Sequence, residues 1–585
     1  MKVSYSFLAT CFIVIGGISA AVVVVVLINN GNFTNNNGQS SENSAITSTD
    51  ISDELPDSKV YNCDISPNIY HDTKTVENCL IYFNDIAKNN TEILNMGQTE
   101  ENRDMKGIRF YGKQTTTTTT TATNNQTETP QFINIGLFGN MHGNEISGRE
   151  LLFWLMTDLS FYFHQKNLSS KSSIQTKNKR TILKDQKQRF YETSWGETTS
   201  KTNDRYALYD TIFYTNNANI FIFPSINPDG FEQRYQYNFR DLGYDPSTWV
   251  LGRYNKFGFD LNRNYPDLNE MVYQNRDLVN NIAYVDNSRL FNDTYFQEYF
   301  EGNYRVAELT DENKEHKPSW LNYESNSAIS QSYSEEELLS NKNFRLKIPT
   351  PNHSNSKDTP IKFITEETRN VLRFLSKNRF NHALNFHDGT KVISYPLDKN
   401  IFGVSKYTIA PDDNLIKSIA HSYADNHLNF KSRFKNPCIE RSFDNGIVNG
   451  ADWYTIGGSF QDYHYLRYGT IHMLAELNCD KFVDEKELKQ VILDNQPAII
   501  GYLDYVTAKT VNVNGYSELV NNDANIGLEF RRKDSNPVES YYATLNSKAE
   551  FHKALKYEGE YEIYIDGQFW KTKFLKYGLQ TIILN

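Results

Sequence analysis

The chain has 585 residues, 39% of them hydrophobic and 14% aromatic, which is too apolar for a mainly disordered protein and too long for one small domain. With 60 basic against 71 acidic side chains the net charge is −11, so the surface offers no general field for a phosphate backbone and nucleic acid is excluded as an expected partner. A mean hydropathy of −0.61 nevertheless requires long polar stretches between the apolar ones.

Phe7 to Ile28 is a run of 22 apolar or small residues without a charge, enough at about 1.5 Å per residue to cross roughly 30 Å of hydrocarbon. Residues 1–28 read as a retained signal-anchor, with a cleaved signal peptide as the alternative. Lys2 precedes the run and no further basic residue follows until Lys59. The expected orientation therefore exports everything after the run, as a single-pass membrane protein with a lumenal or extracellular catalytic part, or as a secreted one if the run is cut. Residues 29–60 are rich in Asn, Ser and Thr and read as a disordered polar stalk. Sequons begin at Asn32, Asn89, Asn125, Asn167, Asn292 and Asn352 and fit a glycoprotein. Cys11 lies in the apolar run, leaving four cysteines for an oxidising compartment. Cys63 with Cys79 and Cys438 with Cys479 are the expected disulfides, four buried thiols the alternative.

From residue 61 the pattern alternates strand and helix. Phe132 to Phe138 is a short apolar run ending at Gly139, typical of a buried strand, and Glu150 to Leu159 has helical apolar spacing. Ile220 to Phe223 repeats the strand signal, and a helix at Glu366 to Leu375 feeds a strand at Ala383 to Phe386. Three polar stretches, Thr115 to Thr129, Asn167 to Asp204 and Tyr284 to Asp358, read as loops extruded from this α/β frame. A helix from Glu485 to about Val506 follows, then period-two alternation with a hairpin at Tyr561 to Ile565 and Phe569 to Phe574. The expected division is a catalytic α/β domain at 61–507 and a small β-sandwich at 508–585.

Polar motifs sit at the strand ends, where ligands gather in α/β sheets. His142 and Glu145, three apart in Gly-Asn-Met-His-Gly-Asn-Glu, are expected on one face of a helical turn and within reach of one metal; the pair alone is a weak signal. His387, directly after the strand at 383–386, offers a third ligand. Two His and one Glu around zinc leave a position for water, the hydrolytic arrangement. Asp260 to Asp267 (DLNRNYPD) contributes amide and guanidinium donors, and Asn227-Pro228-Asp229-Gly230 closes the strand at 220–223.

Taken in order, GNMHGNE, NPDGFE, GR with DLNRNYPD, HDG with YPLD, NGADWY with QDYHY, and AELNCDKF closely resemble the zinc metallocarboxypeptidases of the carboxypeptidase N/E subfamily, over about residues 68 to 585. The resemblance implies a mixed-sheet α/β domain with helices on both faces, followed by a transthyretin-like all-β sandwich. It implies one Zn2+ per chain on His142, Glu145 and His387, Glu476 as general base, and Arg253 as the oxyanion arginine. Asn262 and Arg263 would bind the substrate's C-terminal carboxylate, Tyr454 would close over it, and Asp398 with Gln461 would shape a pocket for C-terminal Arg or Lys. The expected partners are peptides or proteins with a free C-terminus, and the membrane through the N-terminal run.

The chain also departs from that pattern. His387-Asp388-Gly389 stands where the family has His-Gly-Gly, the pair Gly457-Gly458 sits one residue early, and Ser459-Phe460 replaces Gly-Met. The last change raises the question of whether Phe460 enters the pocket. The rival readings are a catalytically silent peptide-binding homologue and a carboxypeptidase for neutral C-terminal residues.

Overall fold

The structure is a computed structural model. It describes residues 56–67, 69–112, 132–169, 191–238, 250–269, 304–306, 362–399, 405–430, 438, 443–517, 527–536, 539–545, 549–565 and 567–584. The apolar run at 7–28, the stalk up to residue 55, the threonine-rich stretch at 115–129 and the sequons at Asn32, Asn125, Asn292 and Asn352 lie outside the described residues. Among the described residues no helix is long and apolar enough to cross a membrane.

The frame is an eight-stranded mixed sheet. Its strands are β1 (Thr91–Gln98), β2 (Asp104–Tyr111), β3 (Ile133–Gly139), β4 (Ala218–Phe223), β7 (His382–His387), β8 (Val392–Tyr395), β9 (Ile447–Asn449) and β10 (Ile471–Glu476), in the spatial order β1-β2-β4-β3-β7-β10-β8-β9. The two remaining strands of this region, β5 (Tyr304–Val306) and β6 (Lys362–Ile364), form a separate parallel pair. The four central strands β4, β3, β7 and β10 run parallel. They are buried at every position of β4, β7 and β10, as strands covered on two faces must be. Antiparallel pairings at β1/β2, β2/β4 and β10/β8 and a parallel pairing at β8/β9 complete the sheet.

Helices do cover both faces, and the register shows it. Phe386 pairs with Ala475 and His387 with Glu476, so neighbouring residues alternate between faces at the same level. On the Phe386 side lies α2 (Ser147–Ser169), whose Gly148 sits directly against the Phe386 ring base. On the opposite side lies α7 (Phe460–Tyr468), whose Phe460 meets Phe138 and His472. The other helices of eight or more residues among the described residues are α1 (Thr73–Ile86), α3 (Thr199–Asp210), α4 (Pro228–Asn238), α5 (Glu366–Lys377), α6 (Asp413–Ala424) and α8 (Glu485–Ala508). In α1 the buried Val76, Cys79, Leu80 and Phe83 follow the i, i+3, i+4, i+7 spacing of a one-sided helix, capped by Asp72 on Thr75 N at 2.6 Å. α2 is buried nearly all round because it lies between the sheet and the outer helices α1 and α8.

The polar stretch at 167–204 is not a plain loop in its described parts, 167–169 and 191–204. It carries the start of α3, and Arg205 on that helix donates to Asp158 at 2.8 Å and to Glu197 at 2.8 Å, while Tyr209 adds a 2.7 Å bond to Asp158. A polar composition reads as solvent-exposed, but these groups satisfy one another in the interior.

After α8 the described residues form strands and loops only. A three-stranded sheet contains β11 (Val511–Ser517), β14 (Glu550–Leu555) and β17 (Gly578–Leu584). A four-stranded antiparallel sheet contains β12 (Gly527–Arg532), β13 (Ser540–Thr544), β15 (Gly559–Ile565) and β16 (Gln568–Leu575). Phe530 on one sheet meets Phe551 on the other at 6.0 Å. Both sheets share one hydrophobic core with the mixed sheet. The junction is polar and buried: Asn381 with Asn514 at 2.7 Å, His382 with Asn512 at 2.8 Å, and Lys553 with Asp412 at 2.6 Å. The two expected disulfides are both formed, with Cα–Cα distances of 4.7 Å for Cys63–Cys79 and 5.0 Å for Cys438–Cys479.

Candidate active site

The chain leaves β3 at Gly139 and turns through Asn140, which takes φ +55°. The Asn140 amide donates to the carbonyls of His142, Gly143 and Glu145 at 3.0, 3.0 and 3.1 Å, and its oxygen accepts from Ser225 at 2.7 Å. One buried side chain thereby sets the shape of the loop. Gly143 has to lack a side chain, since a Cβ would lie 2.2 Å from Phe231 N, where the loop presses on α4. His142 and Glu145 are in this loop rather than on a helical turn. α2 begins only at Ser147, and a Glu145 N to His142 O bond of 3.0 Å does the work of the expected turn. The unexpected Asp388 explains part of that placement: its carboxylate accepts from Ser147 N at 2.8 Å and so caps α2 from the neighbouring strand end.

His387 is the last residue of β7. Its Nδ1 lies 2.7 Å from Glu145 Oε2 and 3.1 Å from His142 Nδ1, which is itself 2.9 Å from the same Glu145 oxygen. The three ligand atoms lie within 4.8 Å of one another and all three residues are buried. Two imidazole nitrogens and one carboxylate at this spacing fit zinc with an open position. The outer nitrogens are held as ligation requires. His142 Nε2 donates to Asp260 Oδ1 at 2.9 Å, leaving Nδ1 to face the metal position. His387 Nε2 faces the Asn385 amide at 2.8 Å, and the buried Asn385 Oδ1 has no partner; turning that amide supplies the acceptor for an Nε2 proton. Burial pushes the His387 imidazole down to about 4, favouring the neutral form that binds metal.

Arg253 braces this end. Its Nε and Nη2 donate to Asp260 Oδ2 at 3.1 and 2.9 Å, and Nη1 lies 3.2 Å from Glu145 Oε1. Burial works against the Asp260 anion, yet Arg253, His142 and Arg263 hold its carboxyl well below the usual range. Glu476 ends β10 and, by the β7/β10 register, stands on the same face as His387 at the same level. It is 8% exposed and its Oε2 has no partner. Burial, reinforced by Glu145 and opposed by Lys481 and Arg253, pushes it up to about 8.

The other end of the cleft is set by a different group. Asp260 also caps the short 3-10 turn Leu261–Arg263, accepting from Asn262 N at 2.9 Å. Asn262 Oδ1 accepts from Phe460 N at 3.0 Å, and Arg263 Nη1 donates to Asn262 O at 2.9 Å. Asp398, 4% exposed, accepts from Gln461 Nε2 at 2.5 Å. A Cβ on Gly450 would come within 1.8 Å of its Oδ1, so only glycine leaves room for that carboxylate. Burial pushes Asp398 up to about 6 against the pull of Ser459, Arg263 and Gln461. Phe460 is turned into the core, stacked on Tyr265 at 4.8 Å, so the Gly-Met replacement does not put its ring in the pocket. Tyr454 stands at the rim, 43% exposed.

Nine of the ten residues singled out from the sequence line one cavity of about 220 Å³; the tenth, Gln461, reaches it through Asp398. Sequence reasoning gave no role to Asp260, although it stands in the quoted DLNRNYPD motif, nor to Asn140 in GNMHGNE. It also passed over Lys481, whose Nζ lies 3.2 Å from Glu145 Oε1.

A mixed sheet that delivers two histidines, a carboxylate, a buried glutamate and two arginines to one cleft defines a metallohydrolase site. The zinc carboxypeptidase family matches residues 76–178, 211–290 and 303–498, and the chain belongs to that family. Among curated proteins it is similar to carboxypeptidase E of Caenorhabditis elegans, 26% identical over 444 residues that cover 74% of this chain and 67% of that protein. It is 24% identical to carboxypeptidase Z of Gallus gallus over 70% of this chain and 45% of that protein. It is 27% identical to the carboxypeptidase N catalytic chain of Homo sapiens over 63% of this chain and 56% of that protein. The matched stretches thus span from under half to two thirds of these relatives. Among solved structures, bovine thrombin-activatable fibrinolysis inhibitor in complex with tick carboxypeptidase inhibitor aligns at 10% identity, covering 75% of this chain and 97% of that one with a TM-score of 0.39.

Proposed function

We propose that this protein is a zinc-dependent exopeptidase that hydrolyses the last peptide bond of peptides or proteins and releases C-terminal Arg or Lys. The observation that carries the reading is the joint presence, in one cavity, of a buried His142/Glu145/His387 trio with Glu476 beside it and a buried Asp398 at the far end. One zinc ion on the trio would supply a Lewis acid and lower the pKa of bound water. The remaining steps belong to side chains. Glu476, with one oxygen unpartnered, takes a proton from the attacking water and returns it to the leaving amine. Arg253 presents Nη1 toward the metal end and stabilises charge developing on the scissile carbonyl oxygen. Asn262 and Arg263 hold the terminal carboxylate, which restricts cleavage to a free C-terminus. Tyr454 closes from the rim. Asp398 pairs with the cationic side chain of the departing residue, with Gln461 fixing the carboxylate.

The same reading places the chain outside the cytosol, exported through the segment at 7–28, with glycans on some sequons and the strands after α8 forming a transthyretin-like sandwich. The core-facing Phe460 supports the basic preference over a neutral one. The test is an assay of the chain on matched peptides ending in Arg, Lys, Leu or Glu, with and without a chelator. Chelator-sensitive release of Arg and Lys well ahead of Leu is the expected result. Release of Leu ahead of Arg would refute the basic preference, and no release from any peptide would refute the enzyme.

A further inference from the structure

A cation that the proposed mechanism does not use stands in the cleft wall. Lys481 lines the same cavity, its side chain is 13% exposed, and its Nζ lies 3.2 Å from Glu145 Oε1. The segment that carries it is pinned at four points. Leu477 N donates to His387 O at 2.9 Å, Gly389 N to Asn478 O at 2.8 Å and Ile146 N to Lys481 O at 3.3 Å, while Cys479 is bridged to Cys438. Lys481 is therefore held in place by both metal-bearing strand ends and a disulfide, unlike a surface lysine on a free loop.

Its position along the substrate follows from the proposed function, on which this inference rests. A peptide whose terminal carboxylate meets Asn262 and Arg263 and whose last side chain meets Asp398 places its scissile carbonyl between Arg253 and Glu476. The penultimate residue must then continue past the trio, away from Arg263. Lys481 is on that side: its Nζ lies 3.2 Å from Glu145 Oε1 and its stem runs beside Gly389, whereas Arg263 Nη1 lies 2.9 Å from Asn262 O. Its Cε lies 3.4 Å from where a Gly389 Cβ would stand, so the lysine stem and a bare glycine form the floor and side of one recess. The other charged groups around that recess are Glu145, Glu476, Asp388 and Arg253. Glu145 belongs to the trio, Asp388 is turned to Ser147 N, Arg253 is committed to Asp260, and Glu476 serves the attacking water in the proposed function, so Lys481, which also meets Glu145, is the cation that faces the penultimate side chain.

We infer that Lys481 is a specificity-determining residue for the penultimate position of the substrate, favouring an acidic side chain there and disfavouring a basic one. A partly exposed ion pair of this kind is worth about a tenfold preference, weakening as salt screens it.

The experiment uses peptides with a constant C-terminal Arg and Glu, Gln or Lys before it. For the wild-type chain kcat/KM should fall in the order Glu, Gln, Lys, spanning about tenfold at low salt. Lys481→Met should bring the Glu/Lys ratio close to one, Lys481→Glu should invert it, and Lys481→Arg should retain it. Binding of the same peptides to a Glu476→Gln chain, read as Kd, should show the same order without turnover. An unchanged ratio in Lys481→Met would overturn the inference, as would an equal loss for all three peptides, which would assign Lys481 to the hydrolytic groups. If the wild-type chain cleaves none of the peptides, the exopeptidase reading fails, and the Kd order still decides the role of Lys481.

Discussion

The two ends of the cleft are built on opposite electrostatic plans. At the metal end Asp260 and Glu145 each have at least two charged partners: Asp260 takes His142 and Arg253, and Glu145 takes His142, His387, Arg253 and Lys481. Those partners outweigh burial, so the Glu145 and Asp260 carboxyls are held well below their ordinary range. At the specificity end the carboxylates of Asp398 and Asp462 face amides and each other, and burial raises both. The lesson is that one end holds its carboxylates ionised by built-in partners, whereas the other lacks such partners and, on the proposed function, is completed by the cation of the substrate. Glu476 stands between the two, raised like the specificity end but placed at the metal end.

The sharpest way to break this comparison is Glu476→Gln, which keeps the volume and removes the proton acceptor. Turnover should fall by about 10²- to 10⁴-fold with zinc content and peptide binding retained; near-normal kcat would remove Glu476 from the chemistry. Asp398→Ala tests the other end. It should reduce kcat/KM for Arg and Lys substrates by roughly 10- to 1,000-fold and leave Leu substrates nearly as before; a constant Arg/Leu ratio would dismiss the pocket. Asp260→Asn loosens the brace between His142 and Arg253. Metal affinity, measured by competition with a chelator, should weaken by about 10- to 100-fold, and unchanged affinity would make the His142–Asp260 bond incidental. The smallest effect is on pH. Asp398 is raised to about 6, so it is neutral below that value and anionic above it. The Arg/Leu preference should therefore decline as pH drops through about 6 and level off above it. A ratio flat from pH 5 to pH 8 would show that Asp398 is charged throughout.

Local patterns in the sequence located three of the four central parallel strands, β3, β4 and β7. The strand read at Ile220 to Phe223 is found at Ala218–Phe223, the helix at Glu366 to Leu375 at Glu366–Lys377, and the hairpin lies within a residue or two of its expected strands. These elements carry their own signal, because apolar runs and helical spacing are visible without knowing the partner. What depends on distant partners was hidden. The strands β8 and β9, the last two at one end of the sheet, are four and three residues long and are defined by pairing. α3 looked like solvent-exposed sequence because Arg205 finds its counter-charge on Asp158, 47 residues away. The ten site residues were legible through ordered motifs; Asp260 and Lys481 stand in two of the same motifs, but their contacts with His142, Arg253 and Glu145 are set by the fold and not by spacing.

The alignment of β7 with β10 has a consequence for how this sequence can vary in length. His387 and Glu476 face each other only because the two strands are in register over six consecutive pairs, and successive side chains alternate faces. Inserting or deleting one residue within either strand would send the ligand and the glutamate to opposite sides of the sheet. Connections between the strands of the sheet are free of this parity constraint: the segment from β4 to β7, which carries α4 and α5, spans 158 positions. Length can therefore accumulate in the connections by tens of residues, while inside these two strands a change of one is excluded.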